Sequence, residues 1–255
     1  MPQITQSIER IKYHQDVPSL ADAHCHLDLF DDPATVVNDA VSKGVSVIIT
    51  SGGSRKGNEM TSNLAKGLNV YGVIGIDPTF AAADHEYVEQ SIELIKKNVH
   101  LIGIGEIGLD VKVEDKSKPD IQKEVFMEQI DIANDLGIPV IIHSRGRMKD
   151  VIRILDEHPA DRAMFHFFEG DEEQARYLAK KGHMISIPPR DSARMKRVIK
   201  EIDLTNIVAE TDAPVAGKTP SDVRSVVELI SSIKNIDFSE AAERVSDNVK
   251  GFFHI

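Results

Sequence analysis

The stretch Leu101–Asp110 reads LIGIGEIGLD, a near-continuous apolar run that meets a carboxylate at Glu106. Val45–Thr50 reads VSVIIT and has the same character. Apolar runs without polar alternation suit parallel strands covered on both faces. Working outward, similar runs predict strands at Leu20–His24, Val70–Ile76, Val140–His143, Ala163–Phe167, His183–Ile187 and Ile207–Thr211. Helical periodicity lies between most of them. Pro33–Lys43 opens on a first-turn proline after an acidic pair and stops at Gly44. Lys118–Leu136 puts Ile121, Val125, Ile130, Ala133 and Leu136 largely on one face, and Gly137 ends it. Asp150–Glu157, Asp171–Lys181, Ser192–Ile202, Ser221–Ile233 and Ser239–Phe252 complete the series. The Gly- and Ser-rich loop Thr50–Asn58 makes the second connection the least defined. Eight strands alternating with helices predict an α/β fold, a (β/α)8 TIM barrel, with a doubly wound open sheet as the alternative. No composition break marks a second domain. The expected division is a short N-terminal arm over 1–16 and one barrel domain over 17–255.

Composition narrows the function. The 255 residues carry 30 Lys+Arg against 41 Asp+Glu, a net charge of −11, which argues against broad electrostatic binding to long DNA. A small local phosphate site remains compatible with it. One cysteine excludes a disulfide framework within the chain and points to a reducing compartment, so a cytoplasmic setting is expected. No apolar run is long enough to span a bilayer, and the first residues lack a secretory signal pattern.

The chemistry gathers at the strand ends. His24 and His26 sit two apart in ADAHCHLD, so on a strand their imidazoles point the same way, as metal ligation requires. Such a pair is weak evidence by itself. Glu106 follows the fourth apolar run, His143 the fifth, His166 the sixth and Asp212 the eighth. In a barrel these ends share one mouth, where catalytic groups collect. Cys25, between the two histidines, points away and reads as a small buried hydrophobe. Asp28 reads either as support for the ligand histidines or as a turn residue, and Asp110 either as a mouth hydrogen-bonder or as a solvated acid. The glycines of GIGEIG lie within a strand and lack the lysine of a phosphate loop. Arg55, Lys56, Arg145, Arg147, Arg190 and Lys218 fall on loops after strands, at the expected mouth. Arg145 lies closest in sequence to His143 and is the expected substrate-phosphate contact.

Together these motifs resemble the TatD family of metal-dependent hydrolases, within the wider amidohydrolase-like barrels. The resemblance rests on DAHCHLD (Asp22–Asp28), GEIGLD (Gly105–Asp110), IIHSR (Ile141–Arg145), MFHFFEG (Met164–Gly170) and ETDAP (Glu210–Pro214). It continues through QKEVFMEQIDIANDLGIPV to an NxxxF ending at Asn248 and Phe252. It implies two divalent metal ions, Zn2+, Mg2+ or Mn2+. His24, His26 and Asp212 would hold one and His143 and His166 the other, with Glu106 bridging. Asp212 would orient a metal-activated water and take its proton, making Asp212 and Glu106 the catalytic pair. The implied reaction is cleavage of phosphodiester bonds, with DNA ends or an oligonucleotide as substrate. Two departures bear on that substrate. The family usually carries a histidine in a GxHP stretch, where GIDPTF has Asp77; and FFEG puts Phe168 and Glu169 where a small polar residue is usual. They support the alternative of an amidohydrolase or lactonase acting on a small cyclic amide or ester. A non-catalytic metal-bound module is disfavoured because all six ligand-type residues remain.

Overall fold

The computed structural model describes residues 19–255, so the arm expected over 1–16 lies outside the described residues. Eight parallel strands follow one another around a sheet in simple sequence order. They are β1 (Leu20–Cys25), β2 (Val45–Gly53), β3 (Val70–Ile76), β4 (Leu101–Gly108), β5 (Val140–His143), β6 (Ala163–Phe165), β7 (Met184–Ile187) and β8 (Ile207–Ala209). Backbone hydrogen bonds join the first and last strands at their C-terminal ends. The Asp212 N–H donates to the His24 carbonyl at 2.9 Å, and the His26 N–H to Ala213 at 2.7 Å. Buried Asp22 reinforces this seam by accepting from the Thr211 N–H at 2.8 Å and its hydroxyl at 2.6 Å. The result is the expected (β/α)8 barrel.

Helices fill the crossovers: α1 (Pro33–Ser42), α2 (Arg55–Leu64), α3 (Ala81–Asp84), α4 (Val88–Lys97), α5 (Pro119–Leu136), α6 (Met148–Glu157), α7 (Glu172–Lys180), α8 (Ala193–Glu201), α9 (Val223–Lys234) and α10 (Phe238–Phe253). Their starts are written locally. Asp32 caps α1 ahead of Pro33, Ser192 caps α8, and Asp171 with Gln174 forms a capping box on α7. Gly137 ends α5 with φ at 66°, where a side chain would be strained.

Three helices, α2, the single turn α3 and α4, fall outside the expected segments. The loop Thr50–Asn58 divides between the end of β2 and the start of α2, which Ser54 caps through the Gly57 N–H. The buried face of α2 is partly polar: Asn58 donates to the Gly75 carbonyl at 2.8 Å and accepts from the Gly53 and Gly75 N–H groups. That polar stripe hides the helix from an apolar count. Helix α4 likewise buries Ser91 beside Val88.

The core has two main layers. Ile104, Phe126, Ile130, Val140, Val151, Phe165 and Ile185 belong to the layer between sheet and helices. Ile141 and Met164 lie two residues before His143 and His166, hence on the same strand face. They pack with Val47, Ile49, Val73, Met184 and Val208, and α10 adds Phe252 and Phe253. This inner layer is the floor beneath the polar groups of the mouth.

Candidate metal centre

Two strand ends leave the ladder through left-handed backbone: Phe167 has φ of 44° and Asp212 of 49°. Such conformations are costly outside glycine and cluster at functional sites. β6 and β8 stop at Phe165 and Ala209, short of the ends expected at Phe167 and Thr211. Gly108, with φ of 138°, lets β4 pass close to β5; a Cβ there would lie 2.0 Å from the His143 carbonyl oxygen.

The six polar groups expected at the mouth converge there. Glu106 stands between two sets of imidazoles. Its Oε1 is 2.7 Å from His143 Nδ1 and 3.2 Å from His166 Nε2. Its Oε2 is 3.3 Å from His24 Nε2 and 3.6 Å from His26 Nε2. Asp212 Oδ1 lies 3.3 Å from His26 Nε2 and 3.8 Å from His24 Nε2. Two groups are compact enough to share a cation: His24, His26 and Asp212, and His24, Glu106 and His166. His143 falls outside both, but meets Glu106 and stands 3.4 Å from His166.

The donors fit a cation. His24 Nε2 and His26 Nε2 approach to 3.3 Å with the same kind of lone pair facing inward. Buried Asp212 Oδ1 makes no hydrogen bond despite its imidazole neighbours. Although burial alone would suppress protonation, carboxylates push His26 and His143 up to about 9, Asp212 acting on the first, Asp110 and Glu106 on the second. Burial likewise opposes ionisation of Glu106, yet His166, His143 and His24 hold it well below the usual carboxylate range. His24 is pushed down, by burial and then by His166. Protons on His26 and His143 therefore occupy lone pairs that a divalent cation would claim, displacing them.

Other buried carboxylates hold the imidazoles in place. Asp110, 3% exposed, lies 3.1 Å from His143 Nε2 and accepts from Arg145 Nε at 3.0 Å and Nη2 at 2.6 Å. It is thus a buried hydrogen-bonder, not a solvated acid. Glu210, which the sequence reading passed over, is fully buried. It accepts from the Phe167 N–H at 2.5 Å and the Ser186 hydroxyl at 2.6 Å, with His166 Nδ1 at 3.5 Å. Its position two residues before Asp212 in ETDAP was the available signal.

A cavity of about 490 Å3 opens over the cluster. Asp28, Asp77 and Glu169 line it, and Leu29, Phe80 and Val215 form an exposed apolar rim. Burial, then Glu106, raises Asp77 to about 6. Phe168 does not face this cavity. It is buried at 1% exposure against Phe165, while Phe167 takes the lining position. Of the six basic residues expected at the mouth, Arg145 alone lines it. Arg147 pairs with Glu114 and Asp150, Arg190 with Glu169, and Arg55 lies over the Tyr87 ring. Cys25 is buried with its thiol toward the Ile49 carbonyl, as alternation predicted. His85 and His158 pair with Glu128 and Asp131, away from the site.

A (β/α)8 barrel with a mixed imidazole–carboxylate cluster at its C-terminal mouth is an arrangement suited to a metal-dependent hydrolase. The family described as TatD related DNase matches residues 21–254, and the chain belongs to it. It is similar to the metal-dependent hydrolase MJ1582 of Methanocaldococcus jannaschii, 32% identical, with 91% of this chain and 96% of the relative covered. It is 27% identical to human deoxyribonuclease TATDN3, over 92% of this chain and 94% of that one. The crystal structure of a TatD family hydrolase from Entamoeba histolytica shares the fold, with a TM-score of 0.84 at 20% identity, covering 93% of this chain and 98% of that chain. The chain is a TatD family metal-dependent hydrolase. No described helix is long and apolar enough to cross a membrane.

Proposed function

We propose that this hydrolase cleaves phosphodiester bonds at nucleic-acid strand ends, using two divalent cations. His24, His26 and Asp212 would hold one, His143 and His166 the other, and Glu106 both. The observation that carries this reading is the division of Glu106, whose Oε1 faces His143 and His166 while Oε2 faces His24 and His26. Such cations would supply a water of lowered pKa and a counter-charge for a phosphoryl oxygen. Asp212, whose buried Oδ1 makes no hydrogen bond, would orient that water and take its proton. Asp110 holds the Nε2 proton of His143, leaving Nδ1 to face inward. Arg145, fixed by Asp110 through Nε and one Nη, keeps other N–H groups for a substrate phosphate. The apolar rim suits a nucleobase at a strand end, and the name of the human relative supports DNA as substrate. The lone buried thiol suits a reducing, cytoplasmic setting.

A second reading, a small cyclic amide or ester, draws on the acid-rich lining of the cavity, where Asp28, Asp77, Asp110 and Glu169 face a single arginine. The test is a screen of metal-loaded protein against bis(p-nitrophenyl) phosphate, a short single-stranded oligodeoxynucleotide, a lactone and a cyclic amide. Turnover of the phosphodiesters is expected; turnover of the neutral substrates alone would replace the first reading with the second.

A further inference from the structure

Among lysines and arginines, only Arg145 lines the cavity over the cluster, and Asp110 already takes two of its nitrogens, so beyond the scissile phosphate the cavity offers a polyanion little. Beside it lies a second depression of about 540 Å3 over the first turn of α6. The two share Ser144 and Glu169 as a common wall. Here the cations differ. Among the described residues Lys149 and Arg194 have no carboxylate partner, and both are exposed. Arg147, paired with Glu114 and Asp150, completes the basic side. The Ser144 hydroxyl, nearly buried, has only the Met148 sulfur as partner, at 3.8 Å.

We propose that this depression binds the backbone phosphate next to the scissile one, so that a single-stranded substrate runs from the metal cluster across Ser144 and Glu169 toward Lys149 and Arg194. The proposal rests on the phosphodiesterase reading and names the subsite that reading lacks. An acidic protein can hold a strand end this way without a broad basic face. The ligand is one phosphodiester anion, met by two unpaired cations in a concave site. Arginine supplies a planar donor fork and lysine a point charge. Glu169, on the shared wall, pairs with Arg190 on its other side, which reduces its repulsion of the strand.

The test compares two substrates with the manganese-loaded enzyme. The dinucleoside monophosphate d(ApA) carries only the scissile phosphate, while d(ApApA) carries one more. In the double variant Lys149→Gln/Arg194→Gln, the ratio of kcat/KM for d(ApApA) over d(ApA) falls at least about fivefold, through KM, as loss of charge-assisted contacts predicts. The slope of log(kcat/KM) for d(ApApA) against log salt becomes shallower by about 0.7, the single-strand value for one phosphate. The control Lys66→Gln/Lys97→Gln makes the same change of net charge at exposed positions that line neither depression, and keeps the wild-type ratio. A wild-type ratio in the first variant, or an equal fall in the control, overturns the subsite while leaving the phosphodiesterase reading intact. A wild-type enzyme that cleaves neither substrate overturns both, and is told apart at once by the missing d(ApA) activity.

Discussion

Asp110→Ala tests how the cluster is held. The carboxylate is buried and meets four donors: His143 Nε2, two nitrogens of Arg145, and the Lys112 N–H at 2.7 Å. Arg145 has a half-exposed side chain, so its guanidinium rehydrates at little net cost when the partner is lost. Lys112 is exposed and its N–H can turn to water. The loss therefore concentrates on His143, whose side chain is 19% exposed. With Asp110 present, Nε2 carries the proton and Nδ1, 2.7 Å from Glu106, is free to bind a cation. Without it nothing holds the proton on Nε2, and Glu106 draws it to Nδ1, the nitrogen that would bind the cation. Losing such a partner costs about 10- to 100-fold in metal affinity, or about 1.4–2.8 kcal/mol. Calorimetric titration of the metal-stripped variant with Mn2+ should show one site weakened by that factor, with the site of His24, His26 and Asp212 nearly unchanged. Asp110→Asn keeps one acceptor oxygen and should lose less than about tenfold. Equal weakening of both sites, or none, would refute the argument that Asp110 acts through His143.

Four further outcomes follow from the same geometry. Glu106→Gln should lower metal content at both positions, whereas His166→Ala should spare the position of His24, His26 and Asp212; elemental analysis distinguishes them. Asp212→Asn should remain folded and partly metal-loaded, with kcat reduced at least about 10²-fold in steady-state assays on a phosphodiester. Glu210→Ala leaves the buried Ser186 hydroxyl and the part-buried Phe167 N–H without their acceptor, which should cost about 1–3 kcal/mol in urea unfolding. Arg145→Ala should weaken turnover of a dinucleotide at least about tenfold and that of a neutral ester far less, with lysine rescuing only in part.

The barrel was legible because its strands are written as apolar runs, and a run such as VSVIIT has few alternatives. Helix α2 was not, since Asn58 and Thr61 put polar groups on its buried side, and Asn58 is satisfied by Gly53 and Gly75, partners that no local pattern contains. The same distinction runs through the site. His24, His26, Glu106, His143, His166 and Asp212 each follow an apolar strand, so their convergence could be read from position alone. Asp22, Asp110 and Glu210 owe their burial to Thr211, Arg145, Ser186 and the Phe167 N–H, contacts made across strands. Phe168 was expected beside the substrate. The left-handed turn at Phe167 redirects the chain, and the Phe168 N–H bonds the Ser186 carbonyl at 3.3 Å while its ring enters the core. The mouth cations were visible as residues, but their carboxylate partners were not.

The proposed centre holds two cations divided by Glu106. Anomalous diffraction from crystals grown with Mn2+ measures it directly. Two peaks are predicted, one against His24, His26 and Asp212 and one against His143 and His166, each within coordination distance of a Glu106 oxygen. A single peak, or two peaks of which one lies away from Glu106, would rule out a centre shared through this carboxylate.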